Sequence, residues 1–267
     1  MLDQSAVEVR LLVVVNGPRP DPEVLRSLAA DRRVEVITLE APSLPGAMLA
    51  GRSMVETEWF ATLDDDDYLL PSALALRVAA LTAHPELDTV VTNGFRHTAA
   101  GDTLHPPAAT TVQRDPLGAL LQSNWLLPGS WLSRTTAVSP ELFAGMPPHL
   151  ECTYLAVRFA MTGRMLLLPT PSVVWSADTP GSASKSEDYK VGEVEGLRTI
   201  LELPLSAAIR RGFQRKLSDA CHSLSHYYLG AGQHSRAWHW HVQSLVHRGG
   251  LRYLAFSRQM LAAAFTR

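Results

Sequence analysis

Four consecutive aspartates, Asp64 to Asp67, lie in the stretch WFATLDDDDYLLP, after an apolar segment and before a helix that begins with proline. Carboxylates this close repel one another, so such a cluster is stabilised only when a positive charge lies among them. Mg²⁺ and Mn²⁺ prefer carboxylate oxygens and leave room for substrate phosphates. The residue types therefore predict a site for a divalent metal and a diphosphate. A solvated acidic turn is the simpler alternative, and helix capping accounts for one aspartate but not four.

The elements around the aspartates predict an α/β fold. Apolar runs of strand length occupy residues 9–15, 34–39, 59–63, 88–93, 165–168 and 172–175. Helical apolar spacing occupies residues 22–30, 47–55, 71–82 and 151–162. Alternation of this kind is typical of a parallel sheet with right-handed crossovers. The aspartates then follow the carboxyl end of a strand, which is the edge where open α/β sheets bind ligands.

The last part of the sequence predicts a small helical unit. Residues 209–229, 235–246 and 251–265 have helical patterns, and residues 227–245 resemble a helix–turn–helix of the tetratricopeptide type. One such unit cannot form a solenoid, because these repeats bury their faces only by stacking. We therefore expect an α/β domain over residues 1–200 and a helical cap over residues 201–267. Residues 176–186, rich in small and turn-forming residues, are expected to form a mobile loop of the kind that serves as a lid.

The composition is that of an ordinary globular protein, with 46% hydrophobic and 19% charged residues and no apolar run long enough to cross a bilayer. The first residues, MLDQSAVEVR, are acidic where a signal peptide would be basic. Cys152 and Cys221 have no metal-type spacing, so we expect a cytoplasmic protein. From Leu205 onward Asp219 is the only acidic residue among many arginines. This basic tail predicts either a solvated helix face or contact with an anionic membrane surface or partner protein, and no nucleic-acid partner is expected.

The sequence resembles the family 2 glycosyltransferases, which are inverting enzymes of the GT-A fold. The segment LDDDDYLLPSAL, residues 63–74, is similar to their signature, in which a leucine-ended strand runs into an Asp-x-Asp-Asp motif and a proline-started helix. The resemblance extends back to the first strand and forward to about Ser186. It implies a Rossmann-like, mostly parallel sheet flanked by helices. It also implies a hexosyltransferase that uses Mn²⁺ or Mg²⁺ to move a sugar from a nucleotide-diphosphate donor, most commonly a UDP-sugar, to an acceptor hydroxyl or amine.

By position, the resemblance implies a role for each aspartate of the cluster. Asp64 and Asp65 are expected near the ribose and the diphosphate. Asp66 is expected to bind the metal, and Asp67 to support the loop, with Asp64 and Asp67 as weaker candidates for metal ligands. Asp178, in the expected lid, is a further weak candidate for a metal contact, although a solvated loop residue is the simpler alternative.

The resemblance also implies residues for the two substrates. Asn16 ends the first strand at the nucleotide site, and Glu40 falls where the family places an acidic residue that reads the base, although the turn after Glu40 departs from the family's Gly-Ser. Trp125, Ser130 and Trp131 lie where the family has the acceptor-side wall, and tryptophan rings are good surfaces for sugars. Core packing explains either tryptophan equally well.

The segment HLECTYLAVRFAMTGRMLLLP, residues 149–169, resembles the family segment in which a Glu-Asp pair opens a helix that carries an arginine and ends at a glycine. Glu151, Arg158 and Gly163 match this pattern, but Cys152 stands at the position of the family's catalytic aspartate. Inversion by direct displacement needs a base for the acceptor's proton, and a thiol is a poor substitute for a carboxylate. Glu151 is therefore the expected base. The alternative is a catalytically silent module that binds a nucleotide sugar or a partner.

Overall fold

Helices and strands alternate through most of the chain in the computed structural model, which describes residues 1–4, 6–18, 20–105, 109–177 and 186–265. The strands, in chain order, are β1 (Leu11–Asn16), β2 (Val34–Leu39), β3 (Trp59–Phe60), β4 (Tyr68–Leu69), β5 (Thr89–Thr98), β6 (Gly101–Leu104), β7 (Trp131–Arg134) and β8 (Met165–Ser176). The helices between them are α1 (Pro22–Ala29), α2 (Leu44–Met54), α3 (Ala73–Ala83), α4 (Ala109–Arg114), α5 (Pro116–Leu120), α6 (Glu141–Ala144) and α7 (Glu151–Thr162). The α/β fold class is thereby confirmed.

The strands form a parallel pair, β1 with β2, and a larger sheet in the order β3–β7–β5–β8–β4 with β6 on β5. In the larger sheet β5 and β8 are parallel, whereas the pairs β3–β7, β5–β7, β4–β8 and β5–β6 are antiparallel. The sheet is therefore mixed and not mostly parallel as expected. Tight turns let neighbouring strands reverse direction, as in the β5–β6 hairpin at Gly101, whose φ is +107°.

One long strand, β8, replaces the two short strands predicted over residues 165–168 and 172–175. Its register with β5 is irregular, because Thr92 pairs with Leu168 whereas Asn93 pairs with Pro171. Proline has no N–H to donate to a ladder, so the irregularity falls where the sequence contains prolines. Pairing with β5 resumes beyond this point and carries the strand to Ser176.

Local sequence explains where several helices begin. The side chain of Asp21 accepts hydrogen bonds from the first backbone N–H groups of α1, and Ser43 Oγ accepts one from the N–H of Gly46 in α2. With this cap, α2 begins at Leu44, before the predicted residue 47. Helix α7 follows the predicted bounds, 151–162, and ends at Gly163, whose φ is +69°.

The core beside the sheet contains interlocking aromatic rings. The ring of Trp131 packs edge to face against Phe60, with centroids 5.2 Å apart, and against Phe159, at 5.3 Å. Arg77 of α3 is fully buried and donates hydrogen bonds to the carbonyl of Trp131 (3.2 Å) and to Ser172 Oγ (2.7 Å). This arginine therefore ties α3 to β7 and β8.

The chain divides into two compact units, residues 1–180 and 181–267. The second unit contains α8 (Glu187–Glu202), α9 (Ala207–Gly230), α10 (His234–Val246), a 3₁₀ turn (Gly250–Tyr253) and α11 (Phe256–Phe265). The sequence pattern did not predict α8. The expected division at residue 200 falls inside this helix, and as a domain boundary it stays a prediction.

Helices α9 and α10 form the predicted helix–turn–helix, with the turn at Gly232, whose φ is +71°. Two buried serines of α9 bridge the pair: Ser218 Oγ donates to the carbonyl of Ser244 (2.8 Å), and Ser225 Oγ donates to that of Ala237 (2.7 Å). Small side chains at these points let the two backbones approach closely. Among the helices that the structure describes, none combines the length and the apolar character needed to cross a membrane.

Candidate active site

Residues Asp64 to Asp67 form a turn between β3 and β4, here called the aspartate loop. The N–H of Asp67 donates to the carbonyl of Asp64 (3.2 Å) and closes the turn. Ser176, the last residue of β8, holds the loop from the neighbouring strand: its N–H donates to Asp67 Oδ1 (2.8 Å), and its hydroxyl donates to the carbonyl of Asp66 (2.6 Å). The end of β8 therefore fixes the conformation of the aspartate loop.

The aspartate loop brings three carboxylates together. Ligand oxygens of Asp64, Asp66 and Asp67 all lie within 4.8 Å of one another. Asp64 and Asp66 are exposed, whereas Asp67 is only 8% exposed and its Oδ2 is buried without a hydrogen-bond partner among the described residues. A buried carboxylate oxygen with no partner is costly unless a cation supplies one. Three hard oxygen donors at this spacing fit Mg²⁺ or Mn²⁺.

The electrostatics of the loop favour a positive ligand. The pKa of Asp67 is raised from 3.8 to about 7, mainly by burial and also by the charges of Asp64, Asp66 and Asp65, against the lowering effect of the hydrogen bond from Ser176. The pKa of Asp64 rises to about 6, first through desolvation and then through the charges of Glu151, Asp66 and Asp65. Asp64 is exposed, yet desolvation is the largest cause of its raised pKa. Ionising both groups at neutral pH therefore costs free energy that a bound cation would offset.

The start of α7 lies near the same carboxylates. The charge of Glu151 raises the pKa of Asp64, and the charges of Glu151, Asp64 and Asp67 add to burial in raising the pKa of the Cys152 thiol well above its usual range. Burial also raises the pKa of Glu151 itself. Glu151 is thus a partly buried carboxylate beside the aspartate loop, while Cys152 stays a protonated thiol at neutral pH.

A groove lies at the carboxyl ends of β1 and β2. Asn16, the last residue of β1, accepts a hydrogen bond at Oδ1 from the N–H of Ser43 (2.6 Å), so its side chain joins β1 to the start of α2. The groove has a volume of about 350 Å³ and is lined by Val15, Asn16, Gly17, Pro18, Pro20 and Pro42. Glu40 follows β2 directly and is exposed. The two residues expected at the nucleotide therefore lie at the same strand ends.

The residues expected on the acceptor side are buried. Trp125 is 2% exposed and donates its ring N–H to the carbonyl of Pro116 (2.9 Å), and Trp131 is 1% exposed in the aromatic core. Ser130 is also buried, and its hydroxyl donates to the carbonyl of Leu127 (2.8 Å). Core packing, which the sequence left open, accounts for both tryptophans, so an acceptor-wall role is not supported. The physical reason is that both side chains point away from solvent into the fold.

Sequence reasoning missed Ser176 and its role at the aspartate loop. A signal was present, since Ser176 is the first polar residue after the apolar run Val173 to Trp175 and so marks the carboxyl end of a strand. Nothing local indicated which loop it would meet. Asp178, the expected lid residue, lies outside the described residues, as does most of the predicted loop 176–186.

Comparison with known proteins bears on this site. Residues 1–125 match the model of the glycosyl transferase family 2. This matched part contains Asn16, Glu40 and the aspartate loop, but not Glu151, although the resemblance was expected to reach about Ser186. A search of curated proteins gave no match.

Solved structures with a similar fold include two of TarS from S. aureus. Residues 1–349 of TarS in complex with UDP-GlcNAc align with a TM-score of 0.56 and 13% identity, over 82% of this chain and 65% of that chain. TarS 1–349 alone aligns with a TM-score of 0.50 and 12% identity, over 91% of this chain and 83% of that chain. At such low identity the likeness concerns the fold. Residues 1–125, slightly less than half of the chain, are thus similar to the glycosyl transferase family 2, and the chain shares the fold of the TarS structures.

Proposed function

We propose that this protein is a metal-dependent, inverting glycosyltransferase that moves a sugar from a UDP-sugar to an acceptor hydroxyl or amine. The observation that carries the proposal is the convergence of Asp64, Asp66 and Asp67 within 4.8 Å, beside Glu151. A family 2 match that includes these three aspartates supports it. The acceptor and the cytoplasmic location stay predictions.

Asp66 and its neighbours Asp64 and Asp67 would hold Mn²⁺ or Mg²⁺. Their oxygen donors suit a hard cation, and the buried Asp67 Oδ2 is an oxygen for which such a cation would be the partner. A cation held there would supply charge neutralisation for a diphosphate leaving group. Ser176 would keep the loop in position, because it binds both Asp66 and Asp67.

Asn16, Glu40 and Asp65 would bind the nucleotide. Asn16 and Glu40 lie at the ends of β1 and β2, Asn16 lines a groove of about 350 Å³, and Asp65 lies in the aspartate loop. The groove is close in size to the lower end of ordinary small-molecule pockets. Because the TarS structure with a similar fold contains UDP-GlcNAc, we propose UDP-GlcNAc as the first donor to test.

Glu151 would act as the base. As the acceptor oxygen or nitrogen forms its bond to the anomeric carbon, the bond from that carbon to the diphosphate breaks, and the acceptor's proton passes to the Glu151 carboxylate. The displacement is in line, so the configuration of the sugar inverts. A pKa raised by burial makes Glu151 a stronger base than an exposed glutamate. The protonated thiol of Cys152 cannot take this role.

The test is calorimetric titration of UDP-GlcNAc into the full chain with Mn²⁺ present. Binding should depend on Mn²⁺ and should be lost in Asp66→Ala, while Asp3→Asn, which removes an exposed carboxylate elsewhere, should bind like the wild type. Donor affinity that is unchanged in Asp66→Ala would refute the metal assignment. A panel of other nucleotide sugars then tests which nucleotide base and which sugar the protein prefers in its donor.

The second candidate, a catalytically silent module that binds a nucleotide sugar, is favoured by one observation, the thiol at Cys152 where the family has an aspartate. Slow release of UDP from the bound donor in the presence of Mn²⁺ separates the two functions. An enzyme releases UDP and loses this activity in Glu151→Gln, whereas a silent module binds the donor and releases no UDP in either form.

A further inference from the structure

The 3₁₀ turn and α11, at the end of the second unit, have an inner face that holds them to α9 and α10. The buried ring of Phe256 lies 4.8 Å from His222 and 5.6 Å from His241, edge to face in both cases. The buried sulfur of Met260 lies 3.8 Å from Ser225 Oγ. These contacts anchor the segment, so its opposite face is the one presented outward.

This opposite face is apolar although it is exposed. Leu251, Leu254 and Leu261 are 75%, 56% and 51% exposed. Leu251 lies in the 3₁₀ turn, Leu254 directly follows it and Leu261 lies in α11, so exposed leucines occur along the whole segment. Val246, at the end of α10, is exposed as well. A helix face that only meets water normally carries polar residues, and a row of exposed leucines marks an interaction site.

Exposed arginines lie close in the sequence to these leucines. Arg248, Arg252 and Arg258 are exposed, and the sequence has no acidic residue from position 220 to 267. Asp219 pairs with Arg252 and also accepts a hydrogen bond from Tyr253 (2.6 Å), so it balances one of the three charges. The charges of Arg248 and Arg258 have no such counterpart in this part of the sequence.

We propose that a set of exposed residues near the end of the second unit docks on the surface of an anionic lipid membrane. This set, here called the basic–apolar face, contains Val246, Leu251, Leu254, Leu261, Arg248 and Arg258. The leucines would enter the boundary between headgroups and acyl chains, and the arginines would contact lipid phosphates. Since no described helix is able to span a bilayer, the segment would lie along the surface. Exposed leucines beside arginines match the apolar boundary and the anionic headgroups of a bilayer surface. The proposal does not depend on the donor or the metal.

The experiment measures binding of the full chain to phosphatidylcholine vesicles with and without phosphatidylglycerol, by co-sedimentation. The chain should bind the anionic vesicles and not the neutral ones, and added salt should weaken the binding. Arg248→Gln with Arg258→Gln should reduce affinity by roughly ten- to thirty-fold. The matched control, Arg10→Gln with Arg32→Gln, removes two exposed arginines from the first unit and should bind like the wild type.

Serine substitutions test the contribution of the leucines in the basic–apolar face. Leu251→Ser with Leu254→Ser should weaken vesicle binding, whereas Leu104→Ser, at an equally exposed leucine of the first unit, should not. Hydrogen exchange locates the contact independently of any variant, since amides of residues 250–261 should become protected when anionic vesicles are added. Equal binding to both kinds of vesicle, or no change in the two double variants, overturns the proposal. So does leucine-dependent dimerisation, or capture by an acidic protein, without vesicle binding.

Discussion

The backbone N–H of Ser176 donates to Asp67 Oδ1 across 2.8 Å, although the two residues are 109 positions apart in the chain. The hydroxyl of the same serine donates to the carbonyl of Asp66 (2.6 Å). The aspartate loop therefore takes its shape from the last residue of β8. A change at Ser176 should act on the aspartates without touching a carboxylate.

Ser176→Ala removes the hydroxyl bond to Asp66 and keeps the backbone bond to Asp67. Because one hydrogen bond contributes about 1 kcal/mol, Mn²⁺ affinity should fall by about five-fold. Ser176→Thr, which retains the hydroxyl, should restore most of it. Calorimetric titration with Mn²⁺ alone measures the effect. Identical Mn²⁺ affinities in the alanine variant and the wild type would show that the loop does not depend on this serine.

Asp67 should make the metal-free protein less stable as pH rises. Its folded-state pKa of about 7 lies above the ordinary value of 3.8, so the folded protein holds this proton more tightly than the unfolded chain does. The stabilisation is complete below 3.8 and is lost as pH rises through about 7. Asp67→Asn, which keeps an oxygen acceptor for Ser176, removes this dependence.

Urea unfolding with a chelator present, between about pH 5 and pH 8, measures the difference in unfolding free energy between Asp67→Asn and the wild type. As pH rises, the unfolding free energy of Asp67→Asn should increase relative to that of the wild type. Added Mn²⁺ should stabilise the wild type and leave the variant largely unaffected. Parallel pH profiles for the two proteins would contradict the raised pKa.

Glu151→Gln should lower UDP release by about 10²- to 10⁴-fold, because it removes the carboxylate proposed to take the acceptor's proton. Donor affinity should change little, so the two measurements separate catalysis from binding. The neighbouring variant Cys152→Ser is the control: a protonated thiol performs no base chemistry, and its replacement by a hydroxyl should leave turnover near the wild-type value. A large loss in Cys152→Ser with full activity in Glu151→Gln would reverse the assignment.

Trp131→Ala should destabilise the protein by about 3 to 5 kcal/mol, as expected when a large buried ring is removed from a packed core. The ring contacts Phe60 and Phe159, and those contacts are lost with it. Leu104→Ala, at an exposed position, should change the unfolding free energy by less than about 0.5 kcal/mol. If Trp131→Ala left stability unchanged and instead weakened acceptor binding, the tryptophan would belong to the substrate site after all.

Much of the local structure was predictable from short sequence patterns. The strand 34–39 and the helix 151–162 lie where their apolar spacing indicated. Helix α8 was missed because Gly192 and Gly196 lower its helix propensity. Both glycines are buried, and packing within the second unit stabilises a helix that the local sequence does not favour.

The sequence by itself determined the α/β class, the helix–turn–helix near the end, and the aspartates directly after a strand, because these depend on residue type and on periodicity over a few positions. The tertiary structure alone decided that Ser176 meets Asp67, that Glu151 lies near Asp64, and that Trp125 and Trp131 are buried. Such relationships join residues far apart in the chain. Only the pairing of strands and the packing of helices brings these residues together, and no local sequence pattern indicates which distant residues will meet.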